Sequence, residues 1–175
     1  MRDYQLHYNP PDGNLIIYPD SEWANDSPDQ TSQGGHILIS NGTISWQSRM
    51  QDIVAMSTVE AEYIACSEAS REGKWLLQLC NDIKHNKNNK NNKNNKTKPL
   101  SILCDNEGSL AHITSGVIKS RMKHIDVYYH NSQDLHERGI VNYPWLSTDE
   151  NVADILTKAL GRLKPDKFNK AMGIW

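Results

Sequence analysis

The clearest periodicity of apolar and polar positions runs from Ser57 to Ile83. Advancing roughly 100° per residue from Glu62, the side chains of Val59, Ala65, Cys66, Ala69, Leu76, Leu77, Cys80 and Ile83 fall within about 60° of it. This spacing predicts a long amphipathic helix with a carboxylate in the middle of its apolar stripe. Glu60, Ser67, Arg71, Lys74, Gln78, Asn81 and Asp82 occupy the other side, where water would keep them cheaply. Ser57 or Thr58 is the expected cap, with Glu60 or Ala61 near the position where a capping box takes a carboxylate.

Ahead of that helix the pattern is that of strands. "NLIIYPDSEWA" has the β-branched and aromatic content of one and ends in acids. "NDSPDQTSQGG" reads as a loop, after which "HILIS" and "TISWQS" flank Asn41-Gly42, the dipeptide of a tight type I′ hairpin turn. Beyond the helix, "LSILCD" followed by "NEGSLAHI" predicts a strand feeding a helix. "MKHIDVYYHNSQDLHERG" predicts another helix closed by Gly139. "IVNYPWL" is the expected last strand, and "STDENVADILTKAL" a helix capped by Ser147, Thr148 or Asp149, with a short terminal helix over 165–172. The order predicts an α/β fold: a five-stranded mixed sheet, its first three strands antiparallel and the later ones parallel, covered by helices.

At 175 residues and 37% hydrophobic content the chain suffices for one domain, expected over 14–160, with a connecting segment at 1–13 and a helical tail at 161–175. The Lys/Asn-rich tract at 86–96 cannot build a core and is expected to be a disordered insertion. A formal charge of −2 gives no global pull toward nucleic acid, so phosphate contacts would need a local basic patch. Cys66, Cys80 and Cys104 have no C-x-x-C spacing and read as reduced, buried thiols of an intracellular protein. No apolar run approaches the ~18 residues of a membrane span, and the first residues lack a signal-peptide core. The expectation is a soluble, unsecreted chain with no membrane partner.

Two aspartates fall at comparable points, Asp20 near the end of the first strand and Asp105 at the carboxyl end of the fourth. With those strands adjacent, both lie at one edge of the sheet, where open α/β sheets place ligands. The long helix brings Glu62 to the same place. Converging carboxylates repel one another unless protons or cations neutralise them, and the cation suited to an all-oxygen cluster is Mg²⁺ or Mn²⁺. Asp154 reads differently. Val152, Ile155, Leu156 and Ala159 make the apolar stripe of its predicted helix, which leaves Asp154 on the solvated side.

Five stretches in order resemble the ribonuclease H region at the C-terminal end of the Pol polyprotein of copia-type LTR retrotransposons. "YPDSEWAND" is similar to the family's Y-[ST]-D-A-D-W-A-G-D. "ISWQSRMQDIVAMSTVEAEYIA" follows I-x-W-x-S-[KR]-[KR]-Q-x-x-V-A-x-S-[ST]-x-E-A-E-Y. "LCDNEGSLAH", "SRMKHIDVYYH" and "STDENVADILTKAL" are similar to its C-D-N, R-x-K-H-I-D and A-D-[IL]-L-T-K signatures. The departures are Pro19 in place of Ser or Thr, Met122 before "KHID", and "HNSQD" for H-F-[IV]-R-E.

The resemblance implies a ribonuclease H-like fold and a catalytic set of Asp20, Glu62, Asp105 and Asp154 holding two Mg²⁺ ions, with Mn²⁺ able to substitute. It also implies cleavage of the RNA strand of RNA/DNA hybrids, and the reverse transcriptase polymerase domain of the same polyprotein as partner, joined through residues 1–13. The implied location is the cytoplasm, in a virus-like particle for an intact element, or the nucleus. Two rivals are a degenerate module kept only to bind nucleic acid or polymerase, which would have lost acids, and an integrase-like nuclease, which would carry its third acid on a helix after the fourth strand. His124, Asp126 and His130 read as a polar helix face rather than a zinc site. The five tryptophans read as core and rim packing rather than base-stacking platforms, and the lysine tract as a tolerated loop expansion.

Overall fold

The computed structural model describes residues 3–8, 14–23, 32–87, 98–115, 126–161 and 163–175. Five strands, β1 (Ile16–Glu22), β2 (Gln33–Ile39), β3 (Thr43–Met50), β4 (Leu100–Ile102) and β5 (Val141–Asn142), form one sheet in the order β3-β2-β1-β4-β5. β1, β2 and β3 pair antiparallel, whereas β4 runs parallel to β1 and β5 parallel to β4. The helices are α1 (Thr58–Lys87), α2 (Glu107–Ser115), α3 (Asp126–Glu137), α4 (Asp154–Thr157) and α5 (Leu163–Ala171). The expected mixed sheet is present, with β1 and β4 adjacent.

Strand alternation divides the core between the two faces of this sheet. Ile17, Leu38, Leu100 and Ile102 pack with Ala61, Ile64 and Ala69 of α1, and Ile113, Leu135 and Tyr143 join them. Ile37 faces the other way, packing with Val152, Ala153, Phe168 and Met172 and flanked by Tyr18 and Leu156. The chain ends meet beside this second cluster: Leu6 bridges Ile174, and the rings of His7 and Trp175 stack at 4.8 Å.

Several local expectations change. "QGG" belongs to β2 rather than to the preceding loop. The hairpin exists, but Ile39 pairs with Thr43 across a bulge, so three residues rather than a two-residue type I′ turn connect the strands. Asn41 has φ 59°. The helix expected over 147–160 is broken into a 3₁₀ turn, Thr148–Glu150, and the four-residue α4. Asn151 causes the break: fully buried, it accepts the Ala153 N–H through Oδ1 (3.2 Å) and donates through Nδ2 to Pro19 O (2.9 Å). That contact also accounts for proline in an inner strand. Ile17 O accepts from Leu103 on the β4 side, and Pro19, two residues on, directs its polar groups the same way, beyond the end of β4. Its missing N–H therefore costs the β1–β2 ladder nothing.

α1 is buried all round from Glu60 to Ser70, because β1, β2 and β4 lie against it on one side and α2 and α3 on the other. Glu60 and Ser67, expected in water, are thus inside. Only the end of α1 emerges, leaving Trp75, Leu79, Cys80 and Ile83 exposed, so one of the three free thiols is not buried. Trp46, Trp75 and Trp145 are exposed, against the expected packing roles, whereas Trp175 is half exposed with its ring stacked on His7 and Trp23 packs against the core. Asn86 and Lys87, expected to begin the disordered insertion, instead close α1, and the rest of that tract, 88–96, and His124 lie outside the described residues, as do the side chains of Asp126 and His130. No helix among the described residues is long and apolar enough to cross a membrane.

Candidate active site

Each of the four acids is placed by a different element. β1 directs Asp20 toward the α4 side of the sheet, where it is 0% exposed. Glu62 rises from the first turns of α1 on the opposite side, 6% exposed, and meets β1 where the sheet ends: the Ser21 N–H donates to Glu62 Oε1 at 3.1 Å. Asp105 follows β4, between the strand end and α2, and is partly exposed. Asp154 opens α4 and is 2% exposed. Helical phase had put Asp154 in water. The phase argument fails because the helix it assumed is broken at Asn151, and α4 lies against β1 and β2.

Ligand atoms of Asp20, Asp105 and Asp154 all lie within 4.8 Å of one another, and those of Glu62, Cys104 and Asp105 form a second such group, so Asp105 joins all four acids. The electrostatic consequences are large. Burial pushes the Asp20 carboxyl up to about 6, with Asp154 adding to the shift, although Thr157 and Lys158 oppose it. Burial, then Asp20, Cys104 and Asp105, raises Glu62 well above the ordinary carboxylate range against the pull of the Ser21 N–H. Glu62 Oε2 is buried without a hydrogen-bond partner among the described residues.

Three residues that sequence reasoning missed complete the constellation. Thr157 donates through Oγ1 to Asp20 Oδ2, and Lys158 Nζ lies 3.0 Å from Asp20 Oδ1 and 2.7 Å from Asp154 Oδ1. Gly35, opposite Asp20 in the β1–β2 ladder, lets α4 approach: a Cβ there would meet Gln47 O at 2.9 Å and Leu156 Cβ at 3.1 Å. The signal for Gly35 was available, since glycine inside a strand marks a close approach. Asn106 holds the neighbouring element, its Oδ1 accepting the Ser109 N–H at 3.0 Å to cap α2. A cleft lined by Ser21, Trp23, Thr58, Asn106, Thr148 and Lys158 opens beside Glu62 and Asp105.

The donor set fits hard divalent cations. Asp20, Asp105 and Asp154 offer oxygen alone, a cationic ammonium already sits between two of them, and Glu62 keeps one oxygen unpartnered.

No family model matches the chain. Among solved structures it is similar to the N-terminal RNase H domain of rv2228c from Mycobacterium tuberculosis, solved as a fusion with maltose binding protein: TM-score 0.56, 16% identity, 82% of this chain and 95% of that one covered. It is also similar to LC11-RNase H1 in complex with RNA/DNA hybrid, at TM-score 0.54 and 18% identity over 82% of this chain and 93% of that one. The chain therefore has a ribonuclease H-like fold. By sequence it is 33% identical over 161 residues to the retrovirus-related Pol polyprotein from transposon RE1 of Arabidopsis thaliana, covering 91% of this chain and 10% of the relative. It is 32% identical over 158 residues to that from transposon TNT 1-94 of Nicotiana tabacum, covering 90% and 11%. Pol polyproteins of plant retrotransposons are thus homologues of the chain, which spans about a tenth of the length of these curated relatives.

Proposed function

We propose that the protein is a divalent-metal-dependent ribonuclease H that cleaves the RNA strand of RNA/DNA hybrids during retrotransposon reverse transcription. The observation that carries this reading is the convergence of acids from β1, α1, α4 and the end of β4 on one edge of a ribonuclease H-like sheet. Asp20, Glu62, Asp105 and Asp154 would hold the cations, two Mg²⁺ or Mn²⁺ ions. Ions so held supply a nucleophile from bound water at neutral pH and stabilise the charge on the leaving oxygen.

The chain's own contribution is orientation and charge. The Ser21 N–H fixes the plane of Glu62 through Oε1 and leaves Oε2 available. Thr157 holds Asp20 through Oδ2, and Asn151 ties the approach to α4 onto β1, so the two aspartates keep their relative placement. Burial of Asp20, Glu62 and Asp154 strengthens each electrostatic contact they make. The cleft beside Glu62 and Asp105 would receive the sugar-phosphate backbone, and choice of RNA requires groups that read 2′-hydroxyls. The Pol homology supports a partnership with the polymerase domain of the same polyprotein, reached through the segment before β1.

The test is purified protein incubated with labelled RNA/DNA hybrid, duplex RNA and duplex DNA, each with Mg²⁺ and with EDTA. Cleavage confined to the RNA of the hybrid and dependent on Mg²⁺ is the expected result. Equal cutting of all three duplexes, or cutting in EDTA, would refute the assignment.

A further inference from the structure

Asp20 and Asp154 already share a cation, and it is the chain's own. Lys158 Nζ is 2.7 Å from Asp154 Oδ1 and 3.0 Å from Asp20 Oδ1, while these carboxylates are 2% and 0% exposed and the lysine 34% exposed. The arrangement is built by α4. Lys158 is the C-cap of that helix, with extended backbone angles of φ −123° and ψ 146°, and its N–H donates to Asp154 O. One residue therefore holds Asp154 twice, by main chain and by ammonium, and reaches across to β1 with the same ammonium.

Every oxygen of Asp20 is engaged, Oδ2 by Thr157 and Oδ1 by Lys158. Asp20 and Asp154 are also two of the three acids whose oxygens converge closely enough to share an ion. An ammonium and a divalent cation on Oδ1 of Asp20 and Oδ1 of Asp154 would repel each other at close range, so the two compete for these oxygens. Of the two, the lysine can leave: its head is at the cleft, it is partly in water, and its four-carbon stem is flexible.

We propose that Lys158 is a positioning residue, a tethered counter-ion that holds Asp20 and Asp154 together in the metal-free protein and is displaced when a divalent cation takes their oxygens. This rests on the divalent-cation reading of the site. Two consequences separate it from a merely structural salt bridge. Without the lysine the metal-free protein carries uncompensated buried carboxylates and loses stability. Without the competitor the cation binds more tightly, so metal rescues the variant more than it stabilises the parent.

The experiment measures Mn²⁺ affinity at pH 8, from the electron paramagnetic resonance signal of free Mn²⁺, together with thermal melts in EDTA and in Mn²⁺. The proteins are the parent, Lys158→Met, Lys158→Arg and Asp154→Asn. Expected for Lys158→Met are a lower melting temperature in EDTA, Mn²⁺ binding about tenfold tighter than the parent's, and a larger rise in melting temperature on adding Mn²⁺. Lys158→Arg keeps the charge and should stay near the parent in affinity. If Lys158→Met does not fold in EDTA, Lys158→Gln, which keeps a donor without the charge, takes its place and should show the same ordering. Should the parent bind Mn²⁺ and lose it in Asp154→Asn, while the uncharged variants bind equally or more weakly than the parent, the competitor role is overturned and the metal site stands. Should neither the parent nor any lysine variant bind Mn²⁺, the metal reading itself fails and this inference with it.

Discussion

Glu60 and Glu62 stand two residues apart on α1, both are buried, and they are bound to different things. Glu60 Oε2 accepts the Met56 N–H at 2.8 Å while its own N–H donates to Ser57 Oγ at 3.3 Å, closing the start of the helix. Glu62 Oε1 accepts the Ser21 N–H of β1 at 3.1 Å and faces Asp20 and Asp105. Replacing Glu62 by Gln keeps the volume and removes a charge that the proposed cations would need. Hybrid cleavage should fall by roughly a hundredfold or more, about 2.7 kcal/mol of transition-state stabilisation. In EDTA the same variant should melt at the parent's temperature or above it, since a repelled carboxylate has gone. Glu60→Gln should lose about 1 kcal/mol of stability at the helix start and stay within a few fold in cleavage. Initial rates and melts on both variants check this, and loss of cleavage in Glu60→Gln alone would reverse the two roles.

Gly35 sets the distance between α4 and the sheet. A methyl group placed there meets main chain, Gln47 O at 2.9 Å, and Leu156 Cβ at 3.1 Å, and neither is the free end of a flexible side chain. Gly35→Ala should therefore cost about 1–3 kcal/mol as overpacking. It should also slow hybrid cleavage by more than tenfold, because Leu156 lies on the same short helix as Asp154 and pushing α4 away separates Asp154 from Asp20. Urea unfolding and single-turnover cleavage measure the two effects. A variant that is less stable yet cleaves at the parent's rate would show that α4 does not set the acid geometry.

What was legible in the sequence divides along a physical line. Asp20 and Asp105 could be read because strand ends are set by local pattern, and Glu62 because a long helix keeps phase. Asp154 could not be read from its own neighbours: "STDENVADILTKAL" looks like one helix, and only the side chain of Asn151, bonded to Pro19 O 132 residues away, interrupts it. Lys158 was hidden for the same reason, since its partner Asp20 is 138 residues distant. The burial of Glu60 and Ser67 depended on α2 and α3 covering the outer side of α1, and a helical wheel describes a helix with only one neighbour.

Ile37 and Trp46 are paired across β2 and β3 and so share a face of the sheet, but α4 and α5 cover only the first. Ile37 is wholly buried, whereas Trp46 is 66% exposed. Ile37→Ala should cost about 2–5 kcal/mol, the range for emptying a core site. Trp46→Ala should change stability by no more than about 1 kcal/mol despite removing a far larger side chain. Urea midpoints of the two variants give the comparison, and a costly Trp46→Ala would mean that another surface covers this face in solution.

His36 makes the fold sensitive to acid. It is buried on β2 between Pro19 and Gln47, and burial, with the Arg49 charge behind it, lowers its pKa to about 4. The imidazole is therefore neutral in the folded chain over a range in which the unfolded chain, near the ordinary value of about 6.5, takes up a proton. The contribution is complete above about pH 6.5 and is lost as pH falls toward 4, with a slope of at most about 1.4 kcal/mol per pH unit. Asp20 has the opposite sign: its raised carboxyl stabilises the metal-free fold at low pH, and that stability is lost as pH rises through about 6. Comparing the parent with His36→Gln in EDTA cancels the carboxylate contribution, which both proteins share. The stability of the parent relative to His36→Gln should climb between pH 4 and 6.5 and level off above it. Urea unfolding across that range measures the difference, and a pH-independent difference would place a protonated His36 in the folded protein.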